Sequence, residues 1–296
     1  MTGAETRRAT PTLPLRHAVA LGLLHGPTEL LPVSSSGHTT LVPWLAGWSY
    51  DALDPKLRKS FEVALHAGTA AALLVRPPGG SPGGRVAFLL PAVIPAALTG
   101  YALGDQIERR LGTPSTIAGG LLAGSAAMIA AERRARARCA KSPVGAACAT
   151  DAGCGSQPAA DAGALDGLTL GLAQALALAP GVSRSGVSLA AARARGFSRR
   201  DADRLSWRAG LPVIAGAALL QGTRLAREGT PRGLALPLAA GAASAFLSML
   251  ASTTVLGPAR RARLLPACAA YRGALALLVI RRMRDNTSQH APIPKK

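Results

Sequence analysis

Long uncharged runs separated by arginine clusters set the pattern of this chain. Val86–Gly104, Leu111–Ala131 and Gly233–Ala259 contain no charged residue. Each approaches or exceeds the roughly 20 apolar residues that a helix needs to cross a bilayer. The weaker runs Val63–Val75, Ala209–Thr223 and Leu264–Ile280 predict further spans. Arg272 interrupts the last of them, so its side chain has to face protein or reach toward an interface. The elements expected are helices throughout, in an all-α, polytopic integral membrane protein.

Composition changes this picture in one respect. The chain has 296 residues, 49% of them hydrophobic, and a formal net charge of +19. In a soluble protein that charge would suggest nucleic acid, but the uncharged spans exclude a basic nucleic-acid binder. The basic residues instead mark loops: Arg133, Arg134, Arg136, Arg138 and Lys141 after one span, Arg260, Arg261 and Arg263 before another, and Arg281, Arg282 and Arg284 after the last. Positive clusters flank the last span on both sides, so the tendency of such clusters to stay cytoplasmic does not fix the orientation.

The cysteines add little. Cys148 and Cys154 lie in a Gly/Ala/Ser-rich stretch with Cys139 just ahead of it. No histidine is near, the spacing fits no usual zinc pattern, and a disulfide would require an extracytoplasmic loop. They read as incidental residues of a linker over 139–163, between a first repeat at 1–138 and a second at 164–296.

The repeat rests on one alignment. Gly22–Gly37, GLLHGPTELLPVSSSG, matches Gly171–Gly186, GLAQALALAPGVSRSG, without a gap. Gly22 meets Gly171, Leu23 meets Leu172, and the shared V-S-x-S-G pairs Val33, Ser34, Ser36 and Gly37 with Val182, Ser183, Ser185 and Gly186. Pro32 and Pro180 precede the two serine stretches and each tends to end a helix there. Irregular polar backbone at membrane depth is tolerated only inside protein or beside a wet cavity, often where two repeats meet. The polar stretches therefore predict the tips of two re-entrant helical hairpins lining one pocket.

The pocket residues suggest phosphate chemistry. Arg184 offers a planar fork of donors suited to phosphate oxygens, in a Gly/Ser loop whose N–H groups can turn inward. In the first loop Ser35 or a neighbour is a candidate nucleophile, with His38 as base and Glu29 holding the imidazole. The bland alternative stays open: serines that cap and pack helices, and a structural Glu29–His38 hydrogen bond.

These stretches, GPTELLPVSSSGH and PGVSRSGVSLAAARARGFSRRDADRLS, resemble the two signature regions of the bacterial undecaprenyl-diphosphate phosphatases, the bacitracin-resistance membrane proteins. The likeness extends to FEVALHAGTAAALLV at Phe61–Val75 and YRGALALLVI at Tyr271–Ile280. The resemblance implies a fold of two interdigitated inverted repeats, each with a re-entrant hairpin, in the bacterial cell membrane. It implies hydrolysis of a C55 lipid diphosphate to the monophosphate and phosphate, recycling a carrier for cell-wall synthesis. Carried over by position, it puts Glu29, Ser35 and His38 in the catalytic set and Arg184, Ser183 and Ser185 on the diphosphate. Ser34 and Ser36, which match Ser183 and Ser185, join the expected diphosphate contacts. It also implies a divalent cation, Mg²⁺ or Ca²⁺, touching Glu29 directly or through the diphosphate.

Four positions depart from the family's pattern. His25 stands where Glu or Gln is usual, His66 where Gln is usual, Arg208 where an apolar residue is usual, and Ser188 in place of Thr. His25 and Glu29 share a helix face if helical, so His25 either joins Glu29 as a metal-ligand candidate, suited to a softer metal, or leaves that role empty. His66, spaced from Glu62 as Glu29 is from His25, is expected to face His25 across the pocket. The expected partners are the lipid diphosphate, the bilayer and, in a homodimer, a second copy of the chain. The competing readings are a transporter that flips an anionic polyprenyl lipid, and an inactive homologue with a scaffold role. A carrier needs Arg184 but neither nucleophile nor base.

Overall fold

The computed structural model describes residues 13–78, 85–140, 157–228 and 234–289. Among these residues the chain forms ten α-helices: α1 Leu15–Leu30, α2 Ser35–Leu45, α3 Pro55–Val75, α4 Val86–Leu111, α5 Pro114–Ala140, α6 Ala164–Leu176, α7 Arg184–Arg195, α8 Arg199–Glu228, α9 Ala235–Val255 and α10 Pro258–Gln289. Local chemistry sets their ends. Asp54 caps α3, its carboxylate accepting from Lys56 N at 2.8 Å with Pro55 at the first helical position, where a missing N–H costs nothing. Gly196, at φ 103°, closes α7 in the left-handed conformation that glycine adopts freely.

Among the described residues four helices are long and apolar enough to cross a membrane: α4, α5, α9 and residues Leu264–Asn286 of α10. The three strongest uncharged runs became α4, α5 and α9, and the arginine-interrupted run became the fourth. Val63–Val75 and Ala209–Thr223 fall in the C-terminal parts of α3 and α8, which are helical but fall outside that set. On α4, Val86, Leu90, Ile94, Leu98 and Tyr101 are exposed. A column of large apolar side chains at such spacing faces lipid rather than water.

The two halves pack crosswise. α1 lies along α9, and α6 lies along α4. Bare glycine surfaces make both approaches possible. A Cβ on Gly22 would stand 2.5 Å from the Gly241 carbonyl oxygen, and one on Gly26 2.5 Å from Met249 N. Gly167 and Gly171 meet the carbonyls of Phe88 and Pro91 in the same way. Small residues at four-residue spacing let helix backbones touch where no hydrophobic effect drives them together. α3 also packs on α9 and α8 on α3, while α5 and α10 pair and carry α7 and α8.

Two expectations need correction. The basic residues Arg133, Arg134, Arg136 and Arg138 are not loop residues, because α5 continues to Ala140, and Arg260, Arg261, Arg263, Arg281, Arg282 and Arg284 all fall inside α10. Glu132 accepts from Arg136 at 3.1 Å, from Arg193 at 3.4 Å and from Arg199, and Arg138 donates to the carbonyls of Arg193 and Ala194 at the end of α7. Cations in a last turn complement the helix dipole, so the charges extend the helix. The second concerns Cys139, which, with Ala140, belongs to α5 and is disulfide-bonded rather than incidental. Cys148 and Cys154 lie outside the described residues.

Candidate functional site

The site is built where the C-terminal end of α1 meets the N-termini of α2 and α7. Helix α1 stops at Leu30, as Pro32 predicts, and Leu31 is already extended. The chain then turns sharply at Ser34, with φ 77° and ψ 94°; Ser183 ahead of α7 has φ 73° and ψ 107°. Positive φ at a non-glycine residue costs about 1–3 kcal/mol and clusters at functional sites. Each serine offsets part of that cost as a cap. Ser34 Oγ accepts from Gly37 N at 3.3 Å and Ser183 Oγ from Gly186 N at 3.3 Å. The matching V-S-x-S-G motifs therefore fold alike, to the hydrogen bond.

The two loops touch. Ser185 Oγ donates to the Leu31 carbonyl at 3.4 Å. Arg272 is fully buried and donates to Pro32 O at 3.1 Å on one loop and to Gly181 O and Val182 O at 3.0 and 2.9 Å on the other. Its Nε donates to Ser125 Oγ, and the Nη2 that serves the second loop also reaches Leu121 O, both at 3.1 Å. This arginine thus turns inward and ties both loop ends to α5. Two helix N-termini, each with unpaired first-turn N–H groups, consequently open side by side, an arrangement that favours an anion.

At the junction Glu29 is buried and holds both sides. Its Oε2 accepts from Ser35 Oγ at 2.5 Å, and its Oε1 accepts from an Arg184 guanidinium nitrogen at 3.2 Å. The Arg184 guanidinium lies 5.0 Å above the Trp207 ring and against the bare Cα of Gly210, where any Cβ would collide with it. Its Nη1 is buried without a hydrogen-bond partner. A buried, unpaired guanidinium donor is costly, and a phosphate oxygen is the partner that its fork geometry suits.

The expected relay of Ser35, His38 and Glu29 is not the arrangement found. His38 is buried, with Nδ1 2.6 Å from the Ser34 carbonyl and Nε2 2.7 Å from the Tyr271 hydroxyl. A carbonyl only accepts, so Nδ1 carries the proton, and in the neutral ring Nε2 accepts from Tyr271. Ser35 bonds the carboxylate instead, and Glu29 does not hold the imidazole. The bland Glu29–His38 hydrogen bond is absent for the same reason.

Of the other expected residues, Ser34 and Ser183 are buried caps, Ser36 is exposed on the first turn of α2, and Ser185 is partly exposed beside Leu31. Sequence reasoning missed Tyr271, Trp207 and Gly210. The only signal for Tyr271 was its place beside Arg272 at a break in an apolar run. Arg208 has its Nε buried without a partner, and Ser188 is fully buried with a hydroxyl that has none. Neither is tied to the site by a hydrogen bond.

His25 and His66 do meet. Their rings stand edge to face with centroids 4.6 Å apart. One ligand atom each from His25, Glu29 and His66 lie within 4.8 Å of one another. Mg²⁺ and Ca²⁺ call for oxygen donors, and two imidazoles with one shared carboxylate do not supply them. The hard cation implied by the sequence resemblance does not fit this donor set.

Comparison with known proteins agrees with the sequence signatures. A family model described as bacitracin resistance protein BacA matches residues 18–76 and 81–278. The undecaprenyl-diphosphatase of Geobacter sulfurreducens is 37% identical over 253 residues, covering 79% of this chain and 85% of that one. That of Pelobacter propionicus is 36% identical over 267 residues, covering 82% and 87%, and that of Acidiphilium cryptum 35% over 222 residues, covering 69% and 73%.

Proposed function

This chain belongs to the bacitracin resistance protein BacA family, and from that premise we propose how its site works. It is a multi-pass membrane enzyme that hydrolyses undecaprenyl diphosphate to undecaprenyl phosphate and inorganic phosphate, returning the lipid carrier to cell-wall synthesis. The observation that carries the mechanism is the Ser35–Glu29 hydrogen bond beside the free Arg184 donor. A lipid carrier protein would need the arginine but not a hydroxyl paired with a buried carboxylate.

The reaction runs in two steps. Arg184 and the first-turn N–H groups of α2 and α7 hold the terminal phosphoryl group and stabilise its developing charge. Glu29 takes the Ser35 proton as Oγ attacks the terminal phosphorus, and the bond to the bridging oxygen breaks. Undecaprenyl phosphate leaves with that electron pair and needs no proton. In the second step the Tyr271 hydroxyl turns off His38 Nε2, and a water attacks the phosphoserine and gives a proton to that nitrogen, His38 sitting one helical turn from Ser35. Glu29 returns its proton to Oγ, releasing phosphate. The His38 proton passes to solvent, and the site is restored. No step is routed through Mg²⁺ or Ca²⁺.

The crosswise packing of α1 on α9 and α6 on α4, with the matched loops, supports the finer architecture: two interdigitated inverted repeats, with α1–α2 and α6–α7 as re-entrant hairpins. Such a fold places a site near the middle of the bilayer, where the phosphate end of a lipid enters from the bacterial cell membrane. The test is phosphate release from C55 diphosphate by purified protein in detergent. Release of one phosphate per lipid supports hydrolysis. Movement of the intact lipid diphosphate across vesicles, without release, would support transport instead.

A further inference from the structure

We propose that His25, Glu29 and His66 form a site for one first-row transition cation of the zinc class. Three observations carry it. The ligand atoms of the three side chains lie within 4.8 Å of one another. His25 is 1% exposed, and its Nδ1 is buried without a hydrogen-bond partner, which is rare for a buried ring nitrogen. The two imidazoles come from different helices, α1 and α3, and stand edge to face at 4.6 Å, so packing alone has brought two metal-ligating groups against a buried carboxylate.

The donor chemistry selects the class of ion. Imidazole suits zinc, copper, iron and nickel, whereas magnesium and calcium take oxygen ligands. Two imidazoles and one carboxylate leave a fourth tetrahedral position for water or a phosphate oxygen, the composition of an open zinc site. With bonds of about 2.0–2.1 Å, tetrahedral donors stand about 3.3 Å apart, so modest side-chain rotations close the cluster. His66 is only partly exposed, and the site abuts the Ser35–Glu29–Arg184 junction through the shared carboxylate.

That sharing has a consequence. Arg184 and the cation compete for Glu29, since Arg184 already donates to its Oε1. Binding of the cation loosens the Glu29–Arg184 pair and frees the guanidinium fork for the diphosphate. Conversely, removal of the Arg184 charge strengthens cation binding. The proposal deepens the hydrolase reading at the same site, but the binding it describes does not depend on turnover.

The experiment is Zn²⁺ titration by calorimetry on the chelator-treated full chain in detergent, with Co²⁺ absorption spectra as a second readout. One Zn²⁺ per chain is expected, undisturbed by excess Mg²⁺, with a Co²⁺ spectrum of a nitrogen-liganded site of low coordination. His25→Gln and His66→Gln should each weaken Zn²⁺ binding by a hundredfold or more at unchanged thermal midpoint, and Arg184→Ala should tighten it severalfold. Absence of stoichiometric binding, displacement by Mg²⁺, or binding kept in the His25→Gln/His66→Gln double variant would overturn the site. Metal binding without phosphate release would leave the site standing and refute the hydrolase reading alone.

Discussion

Glu29 and Arg184 are 155 positions apart in sequence and 3.2 Å apart in space. The contact joins the last turn of α1, just ahead of the first polar loop, to the first residue of α7, just after the second, and Gly210 and Trp207 fix the arginine from behind. Arg184→Lys keeps the charge but loses the planar fork. Turnover should fall by about 10²–10³-fold, the order of losing one preorganised donor to the developing charge. Gly210→Ala keeps the Arg184 side chain but pushes its guanidinium out of position, so turnover should fall on the order of 10²-fold through misplacement alone. Both are read as phosphate release per folded protein, with the thermal midpoint as a check on folding.

Tyr271 is expected to act through His38. Tyr271→Phe removes the hydroxyl that meets His38 Nε2 and should lower turnover by roughly tenfold, the worth of one hydrogen bond. The double variant with His38→Ala should be no slower than His38→Ala alone, since residues acting as a unit do not add. Additive losses in that cycle would separate the two residues.

Ser34 and Ser183 present a choice between capping and phosphate contact. In the capping account, alanine loses the cap and keeps the strained positive φ, while glycine loses the cap and relieves the strain. Ser34→Ala and Ser183→Ala should therefore destabilise by about 1 kcal/mol more than the corresponding glycine variants. Equal stability for the two replacements, with turnover lost in both, would assign the hydroxyls to substrate instead.

Arg272 is a structural clamp with a measurable role. Arg272→Met removes one side chain that serves carbonyls on both loops and on α5. The expected cost is on the order of 3 kcal/mol, because several buried acceptors lose partners together. A thermal midpoint equal to that of the parent chain would show that the loops hold themselves.

Much of this arrangement is legible in the sequence because its causes are local. Uncharged length marks α4, α5 and α9, and Pro32 and the paired V-S-x-S-G motifs mark the loops. The likeness of the two motifs is enough to predict that the two loops meet, though not that Arg184 pairs with Glu29. What the sequence hides is rotamer and partner choice. Ser35 and His38 both follow Ser34 in the first turn of α2, and nothing in their spacing says that one turns to Glu29 and the other to Tyr271. Gly210 carries its meaning only once the guanidinium of Arg184 is seen to fill the space that its missing side chain leaves. Arg133–Arg138 read as loop because charge ends a span, yet the Glu132 network carries the helix on past the apolar stretch.

The central claim is that Ser35 becomes phosphorylated, with Glu29 as its base and His38 needed to discharge it. The most direct measurement is peptide mass spectrometry of protein quenched in acid during exposure to undecaprenyl diphosphate. His38→Ala should accumulate one phosphoryl group on Ser35, because the first step proceeds and the second stalls. Glu29→Gln should show none, because the serine is never activated. An unmodified Ser35 peptide in His38→Ala, together with phosphate release at the parent rate by Ser35→Ala, would contradict the account and leave water as the nucleophile.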